Sequence, residues 1–134
     1  MEKQAILNLC DSARKASQNA YAPFSHFPVG AALLAKDGRV YQGCNVESSS
    51  YGLTICAERN AIAAAVVQGE KDFEAMAIYS NVGAAPCGAC RQVIWDICRN
   101  IKLFSIDKKG EILEYTSTEL LPKPFDDSQL GSDK

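Results

Sequence analysis

The sequence lacks an excess of positive charge. Its 14 Lys and Arg are outnumbered by 16 Asp and Glu, which gives a formal net charge of −2 and a pI of about 5.4. Proteins that track phosphates carry a basic stripe and a high pI, so this balance argues against a nucleic-acid partner and leaves a small neutral substrate open. Long apolar runs are also missing; none approaches the roughly 20 residues needed to span a bilayer, so no membrane partner is expected. Residues 1–10 (MEKQAILNLC) lack the positively charged segment followed by an apolar run that marks a secretory signal, and a cytoplasmic location is expected. No internal repeat or long linker divides the 134 residues, which predicts a single domain over 1–134 with a polar, loose tail after about 126. Histidine occurs once, as His26 in a proline-framed loop, and reads as a solvated residue with no assignable role. Cysteine is plentiful by comparison. Six thiols in a reducing compartment point to metal ligands or core residues rather than to a disulfide framework.

Apolar positions at Ala5, Ile6, Leu9, Ala13 and Ala16 have helical spacing over 3–20. Pro23 and Pro28 break that helix. Val29–Leu34 and Arg39–Val46 flank the turn Lys36-Asp37-Gly38 and predict a hairpin. Glu47–Thr54 reads as a Ser- and Gly-rich loop. Cys56–Gln68 reads as a buried, Ala-rich helix stopped at Gly69. Ala75–Tyr79 predicts a strand, Asn81–Pro86 a loop, and Cys87–Asn100 a helix with Val93, Ile94 and Ile97 on one face. Leu103–Ile106 and Ile112–Tyr115 are strands around Asp107-Lys108-Lys109-Gly110. The order α, β, β, α, β, α, β, β implies an α/β fold, a mixed sheet with helices on its faces. The last connection is too short for a parallel crossover, so the final two strands are expected to be antiparallel.

Chemistry concentrates in Cys56-Ala57-Glu58-Arg59 and Pro86-Cys87-Gly88-Ala89-Cys90. A Cys-x-x-Cys pair opening one helix, with a third cysteine opening another, gathers three thiolates at helix N-termini. There, free N–H groups and the macrodipole favour negative sulfur. Zinc suits such a set, and three protein ligands leave the fourth tetrahedral position open, the catalytic arrangement. Glu58, two residues after Cys56, can reach that position and take a proton from a zinc-activated water. Three thiolates leave the metal shell at net −1. Arg59 is a candidate to withdraw charge through hydrogen bonds to sulfur. Taken alone, Cys-x-x-Cys is as often a structural knuckle or a redox pair. Cys44 is the rival fourth ligand that would close the site; otherwise Cys10, Cys44 and Cys98 read as buried small residues.

Signatures of this type occur in nucleobase deaminases, with the glutamate as acid/base and not a ligand. The chain also carries Phe27-Pro28-Val29-Gly30-Ala31-Ala32-Leu33-Leu34, Gly43-Cys44-Asn45-Val46-Glu47, Tyr51-Gly52-Leu53-Thr54-Ile55-Cys56-Ala57-Glu58-Arg59, Pro86-Cys87-Gly88-Ala89-Cys90-Arg91-Gln92, and Leu120-Leu121-Pro122 with Phe125. In this order the motifs resemble the small homotetrameric zinc-dependent cytidine deaminases, from about residue 4 to 125. The resemblance implies a three-layer α-β-α sandwich around a mixed five-stranded sheet. It also implies one zinc per chain, and hydrolytic deamination of cytidine and deoxycytidine in pyrimidine salvage, with attack on C4 and Glu58 as proton shuttle. By the same resemblance Asn45 and Glu47 would bind the ribose 3′-hydroxyl. Phe27 would pack on the base or sugar, and Glu58 would also bond N3. The backbones of Ala57 and Pro86 would contact the base amide edge. Tyr51 and Phe125 would reach the site of a neighbouring subunit in a homotetramer with shared active sites. Taken without the resemblance, Asn45 and Glu47 read as turn residues and Phe27 as core.

The chain departs from the family pattern at Ser48-Ser49, where Asn-Ala is common, and in Asn81–Ala85, about two residues short. It departs again at Asp96, where Glu is frequent, and at Pro124, in place of a small residue. Two other readings remain open at this level. One is a deaminase of polynucleotides or of modified pyrimidines such as nucleoside antibiotics. The other is an interaction module built on structural zinc.

Overall fold

The computed structural model describes residues 1–131. Helix α1 (Lys3–Ser17) is followed by strands β1 (Gly30–Ala35) and β2 (Val40–Cys44), helix α2 (Ala57–Val67), strand β3 (Phe73–Tyr79), helix α3 (Gly88–Cys98), strands β4 (Lys102–Ile106) and β5 (Ile112–Thr116), and helix α4 (Ser117–Leu120). Short 3-10 turns lie at Tyr51–Leu53 and Asp127–Gln129.

The five strands form one sheet in the order β2-β1-β3-β4-β5. β3 and β4 are parallel, joined through α3, and every other pair is antiparallel, including β4 with β5. Residue alternation sorts the strands between two cores. Ala31, Leu33, Met76, Ile78 and Leu103 pack with Ala61, Ile62 and Ala65 of α2 and Ile94 of α3. Ala32, Ala75, Ala77 and Phe104 face the opposite side, against Leu9, Cys10 and Ala13 of α1. The sheet is thus the middle layer of an α-β-α sandwich. Each Leu, Ile, Met or Phe fully buried in it contributes roughly 1.5–3 kcal/mol.

α1 and α2 each touch the sheet where glycine removes the side chain. A Cβ on Gly30 would lie 1.9 Å from the Ala13 carbonyl oxygen in α1. A Cβ on Gly43 would lie 2.3 Å from the Ala57 oxygen and 2.4 Å from the Ala61 nitrogen in α2. Beside Gly43, the Asn60 side chain donates to the Cys44 carbonyl at 2.8 Å. α2 ends in a Schellman motif, with Gly69 N bonded to Val66 O, Glu70 N to Ala65 O, and Gly69 at φ 87°. That is the stop its sequence predicts.

Four sequence expectations change. α1 ends at Ser17, because the Gln18, Asn19 and Ala20 amides turn back onto Lys15, Ala16 and Ser17. α3 buries Cys90, Ile94 and Cys98, while Ile97 is 38% exposed. The spacing of four set by the cysteines decides the buried face. α4 follows β5 directly; its signal was the capping box between Thr116 and Glu119. The tail expected to be loose after about 126 is anchored at its start. Asp126 accepts from Trp95 Nε1 at 2.9 Å and from Arg99 at 3.3 Å. Its last three residues, 132–134, lie outside the described residues.

Gly43→Ala tests the contact between α2 and the sheet. The added methyl meets backbone that cannot step aside, so urea unfolding is expected to lose at least about 2 kcal/mol. Zinc retention should fall with it, since Cys56 precedes the displaced turn.

Candidate active site

Cys56 is the N-cap of α2 and Cys87 the N-cap of α3, each with extended backbone. Their carbonyls accept the first helical bonds, from Asn60 at 3.1 Å and Arg91 at 3.0 Å. Cys90 lies in the first turn of α3. The two helix starts converge, and the three Sγ atoms lie within 4.8 Å of one another, with Cys56 to Cys87 at 3.9 Å and Cys87 to Cys90 at 3.5 Å. A zinc ion with Zn–S of about 2.3 Å needs tetrahedral edges of about 3.8 Å. The thiol spacing matches that edge, so the donor set fits zinc and leaves one coordination position to a non-protein ligand. Among the described residues this is the one such cluster, and Cys44 stands outside it. A four-thiolate structural site therefore has no support from the geometry. Cys44 is half-buried, while Cys10 and Cys98 are buried as expected of core thiols.

Electrostatics at the cluster is tightly linked. The neighbouring Cys90 thiol first, then Arg59 and Cys87, favour the Cys56 thiolate; together they outweigh burial and draw Cys56 down to about 5. Cys90 moves the other way, raised first by the neighbouring Cys56 thiolate, then by burial and by Glu58. Arg59 Nη2 sits 3.4 Å from Cys56 Sγ, and its Nε is buried with no hydrogen-bond partner among the described residues. Glu58 is 4% exposed, and burial first, then the nearby Cys56 thiolate, push its carboxyl up to about 7.

A cavity of about 250 Å³ opens beside the cluster, lined by Phe27, Asn45, Glu47, Ala57 and Glu58 together with Cys56 and Cys87. Asn45 is 8% exposed and its side chain is already engaged. Its Oδ1 accepts from Val29 N and its Nδ2 donates to Phe27 O, both at 2.9 Å. Glu47 accepts from the Phe24 and Ser25 amides at 3.0 and 3.1 Å and from the Ser25 hydroxyl, which with the amides keeps its carboxylate ionised. Both residues thus fold the 24–29 segment against the cavity and keep it in one conformation.

Tyr51 lies next door, in an adjoining depression with Phe24, Ser25 and Ser48, edge-on to Phe24 at 5.8 Å. Pro86 is fully buried, and its carbonyl accepts from Arg91 Nε at 2.7 Å. Phe125 is 57% exposed and lines neither recess. His26 is exposed in its loop.

Sequence reasoning missed part of the cavity wall. Ile78, Ser80, Ala84 and Ala85 line it without belonging to any motif, and Val29 and Thr54 lie within motifs that gave them no role. Ser80 had one available signal, its place just past the carboxyl end of a strand that pairs in parallel, where α/β ligand sites gather. It is 1% exposed and accepts from Ala84 N at 3.0 Å, while Ser105 donates to Ala84 O at 3.1 Å. The two hydroxyls pin the short 81–85 loop.

Comparison with known proteins decides the relationship. The family model for the cytidine and deoxycytidylate deaminase zinc-binding region matches residues 3–104. The chain belongs to this deaminase family. It is 46% identical over 129 residues to a cytidine deaminase of Sporosarcina psychrophila, covering 94% of this chain and 95% of that one. It is 44% identical over 128 residues to a cytidine deaminase of Halalkalibacterium halodurans, covering 93% and 95%. The crystal structure of a Burkholderia pseudomallei cytidine deaminase superposes with a TM-score of 0.87 at 40% identity, covering 93% of this chain and all of that one. Cys56, Cys87 and Cys90 all fall within the stretch that this zinc-binding family model matches, and their cluster fits such an ion.

The Cys56 shift gives a pH test on metal-stripped deaminase. A lowered thiol is thiolate above its pKa and loses reactivity only as pH falls through about 5. Iodoacetamide labelling of Cys56, read by mass spectrometry, should therefore be flat between about pH 6 and 8. Cys10 and Cys98, which burial raises to about 11 and about 12, should stay unlabelled. A Cys56 rate that climbs about tenfold per pH unit in that range contradicts the assignment.

Proposed function

We propose that this protein is a zinc-dependent hydrolase that converts cytidine and deoxycytidine, with water, to uridine and deoxyuridine plus ammonia. The observation that carries the reading is the convergence of Cys56, Cys87 and Cys90 beside buried Glu58 on a cavity open to a small molecule. The full-length similarity to cytidine deaminases supports the choice of substrate. Cys56, Cys87 and Cys90 would hold one zinc per chain. Zinc at that position supplies Lewis-acid activation of water.

The chain's own groups do the rest. Glu58, raised toward neutrality by burial, is matched to gain and lose a proton near pH 7. It takes one proton from the attacking water and passes it to N3 of the base as the C4–O bond forms, then takes the remaining proton of the new C4 hydroxyl and delivers it to the amine as the C4–N bond breaks, leaving a C4 carbonyl and ammonia. Arg59 donates to Cys56 and tempers the charge of the thiolate set. Phe27 offers a flat face to the base. The backbones of Ala57 and Pro86 bond its amide edge; Pro86 O already accepts from Arg91, which fixes where it points. Asn45 and Glu47 take the 3′-hydroxyl, with one amide hydrogen and spare carboxylate lone pairs left after their bonds to the 24–29 segment.

Tyr51 and Phe125 complete the site of a neighbouring copy in a homotetramer. The exposed apolar group Tyr21, Phe24, Val46, Tyr51, Leu53 and Ile55, around the loop that precedes Cys56, supports self-association. Among the described residues no helix is long and apolar enough to cross a membrane. With the acidic balance, this fits a role on free nucleosides in cytoplasmic pyrimidine salvage.

Two measurements test the reading. Ultraviolet spectra of cytidine and deoxycytidine should both convert with zinc-loaded protein, while cytidine monophosphate should not. A zinc-replete protein inactive on both nucleosides would sink the substrate assignment. Glu58→Gln should retain one zinc per chain and lose at least about 10²–10⁴-fold in kcat, the scale of general acid–base catalysis.

A further inference from the structure

The stretch from Leu121 to Asp127 has no regular structure until its final turn, yet α3 holds it along its whole length. Arg91 Nη1 donates to Leu120 O at 3.1 Å and Gln92 Nε2 to Phe125 O at 2.7 Å. Trp95 Nε1 donates to Asp126 Oδ2 at 2.9 Å. Arg99 donates to the same oxygen at 3.3 Å and to Asp127 Oδ1 at 3.1 Å, with its guanidinium 5.7 Å from the centre of the Trp95 ring. Arg91, Trp95 and Arg99 recur every four residues in line with Cys87, so the grip runs along the same helix edge that begins at the thiol cluster.

The backbone at both ends of this grip is strained. Lys123, between Pro122 and Pro124, has φ 52°. Arg99 has φ 60° and ψ −139°, a region that glycine occupies and other residues avoid. Glycine would end α3 without strain. The arginine found there instead supplies the side chain that holds both aspartates. Strain of this kind persists only where surrounding contacts over-determine it. What the clamp presents is Phe125, flanked by Pro124 and Asp126, tied through its own carbonyl and 57% exposed.

We propose that Asp126, held by Trp95 and Arg99, is a positioning residue that fixes Phe125 in the pose needed to close the nucleoside cavity of a second copy of this chain. The inference rests on the reading of Phe125 given under the proposed function. Phe125 lines neither the cavity nor the depression beside it in its own chain, whereas the rim around Phe24 and Tyr51 is open and aromatic. An aromatic anchor already locked in place loses little freedom on docking, so the clamp converts rigidity into nucleoside affinity. Without it, apparent affinity falls by the fraction of molecules that still hold the pose.

The test is steady-state kinetics on the zinc-loaded full chain, with zinc content and oligomeric state measured for each variant. Phe125→Ala should raise KM for cytidine. Asp126→Ala should raise KM about tenfold if about one molecule in ten keeps the pose, with kcat changed less than about twofold. In a double-mutant cycle, Asp126→Ala added to Phe125→Ala should cost nothing more, because Asp126 acts through Phe125. Asp126→Asn, which keeps an acceptor for Trp95, should recover part of the loss. Arg99→Gly separates positioning from stability: it relieves the backbone, so Tm should hold or rise while KM still increases.

Additive effects in the cycle would overturn the proposal. So would wild-type KM in both Asp126→Ala and Arg99→Gly beside an impaired Phe125→Ala. Wild-type KM in Phe125→Ala would instead bring down the role given to Phe125, and the clamp's function with it. If Asp126→Ala does not fold, Asp126→Asn and Arg99→Gly carry the same comparison.

Discussion

At Gly43 the backbone of α2 lies so close to β2 that a single methyl group would overlap it, and the placement of Cys56 and Glu58 follows from that contact. A helix resting on the sheet through side chains can shift as they repack. One resting backbone to backbone cannot. Asn60 bonds the neighbouring Cys44 carbonyl and removes the remaining freedom to slide. α3 is fixed separately, by Cys90, Ile94 and Cys98 sunk in the same core face. The two helices therefore meet at their N-termini with the Cys56 and Cys87 sulfurs 3.9 Å apart, while Cys90 stands 3.5 Å from Cys87 within the start of α3.

Those N-termini gather groups that repel one another when ionised. Cys56 is drawn toward thiolate by the neighbouring Cys90 thiol and by Arg59. Cys90 keeps its proton as a result, and Glu58 is raised by burial and then by the Cys56 charge. A divalent cation resolves this conflict, since it rewards every negative group at once. The same burial that makes Glu58 costly as a lone carboxylate raises its carboxyl toward neutrality, which is what the proposed proton transfer requires. On the other side of the cavity, Asn45 and Glu47 spend most of their hydrogen bonds on the 24–29 segment. That wall is braced by the chain's own hydrogen bonds.

The fold was legible where periodicity and turn chemistry agreed. Gly69 ends α2, and the Asp107–Gly110 turn joins antiparallel strands, as residue types alone require. Legibility failed where tertiary contacts overrode the pattern. Ile97 belongs by hydrophobicity to the buried face of α3, but the cysteines at 90 and 98 occupy it. α4 is four residues long, too short for any periodic signal, and only its capping box marks it. The segment at 126–129 is polar enough to read as loose, yet Trp95 and Arg99 hold it from across the chain. At the site, the three clustered thiols and Glu58 stood out because the chemistry proposed for them demands particular residues at particular spacing. Ser80, Thr54 and Ala84 did not, since a cavity wall asks only for small side chains.

The sequence by itself determined the donor set, its place at two helix starts, and the order of strands and helices. These depend on local chemistry and on short spacings, which a linear chain carries directly. Only the tertiary structure decided that Cys44 stays outside the metal cluster and that Asn45 and Glu47 brace the segment they flank. It also decided that Phe125 lies clear of its own cavity. Each of those outcomes depends on distances between residues far apart in the chain, and these are set when the helices close on the sheet at Gly30 and Gly43.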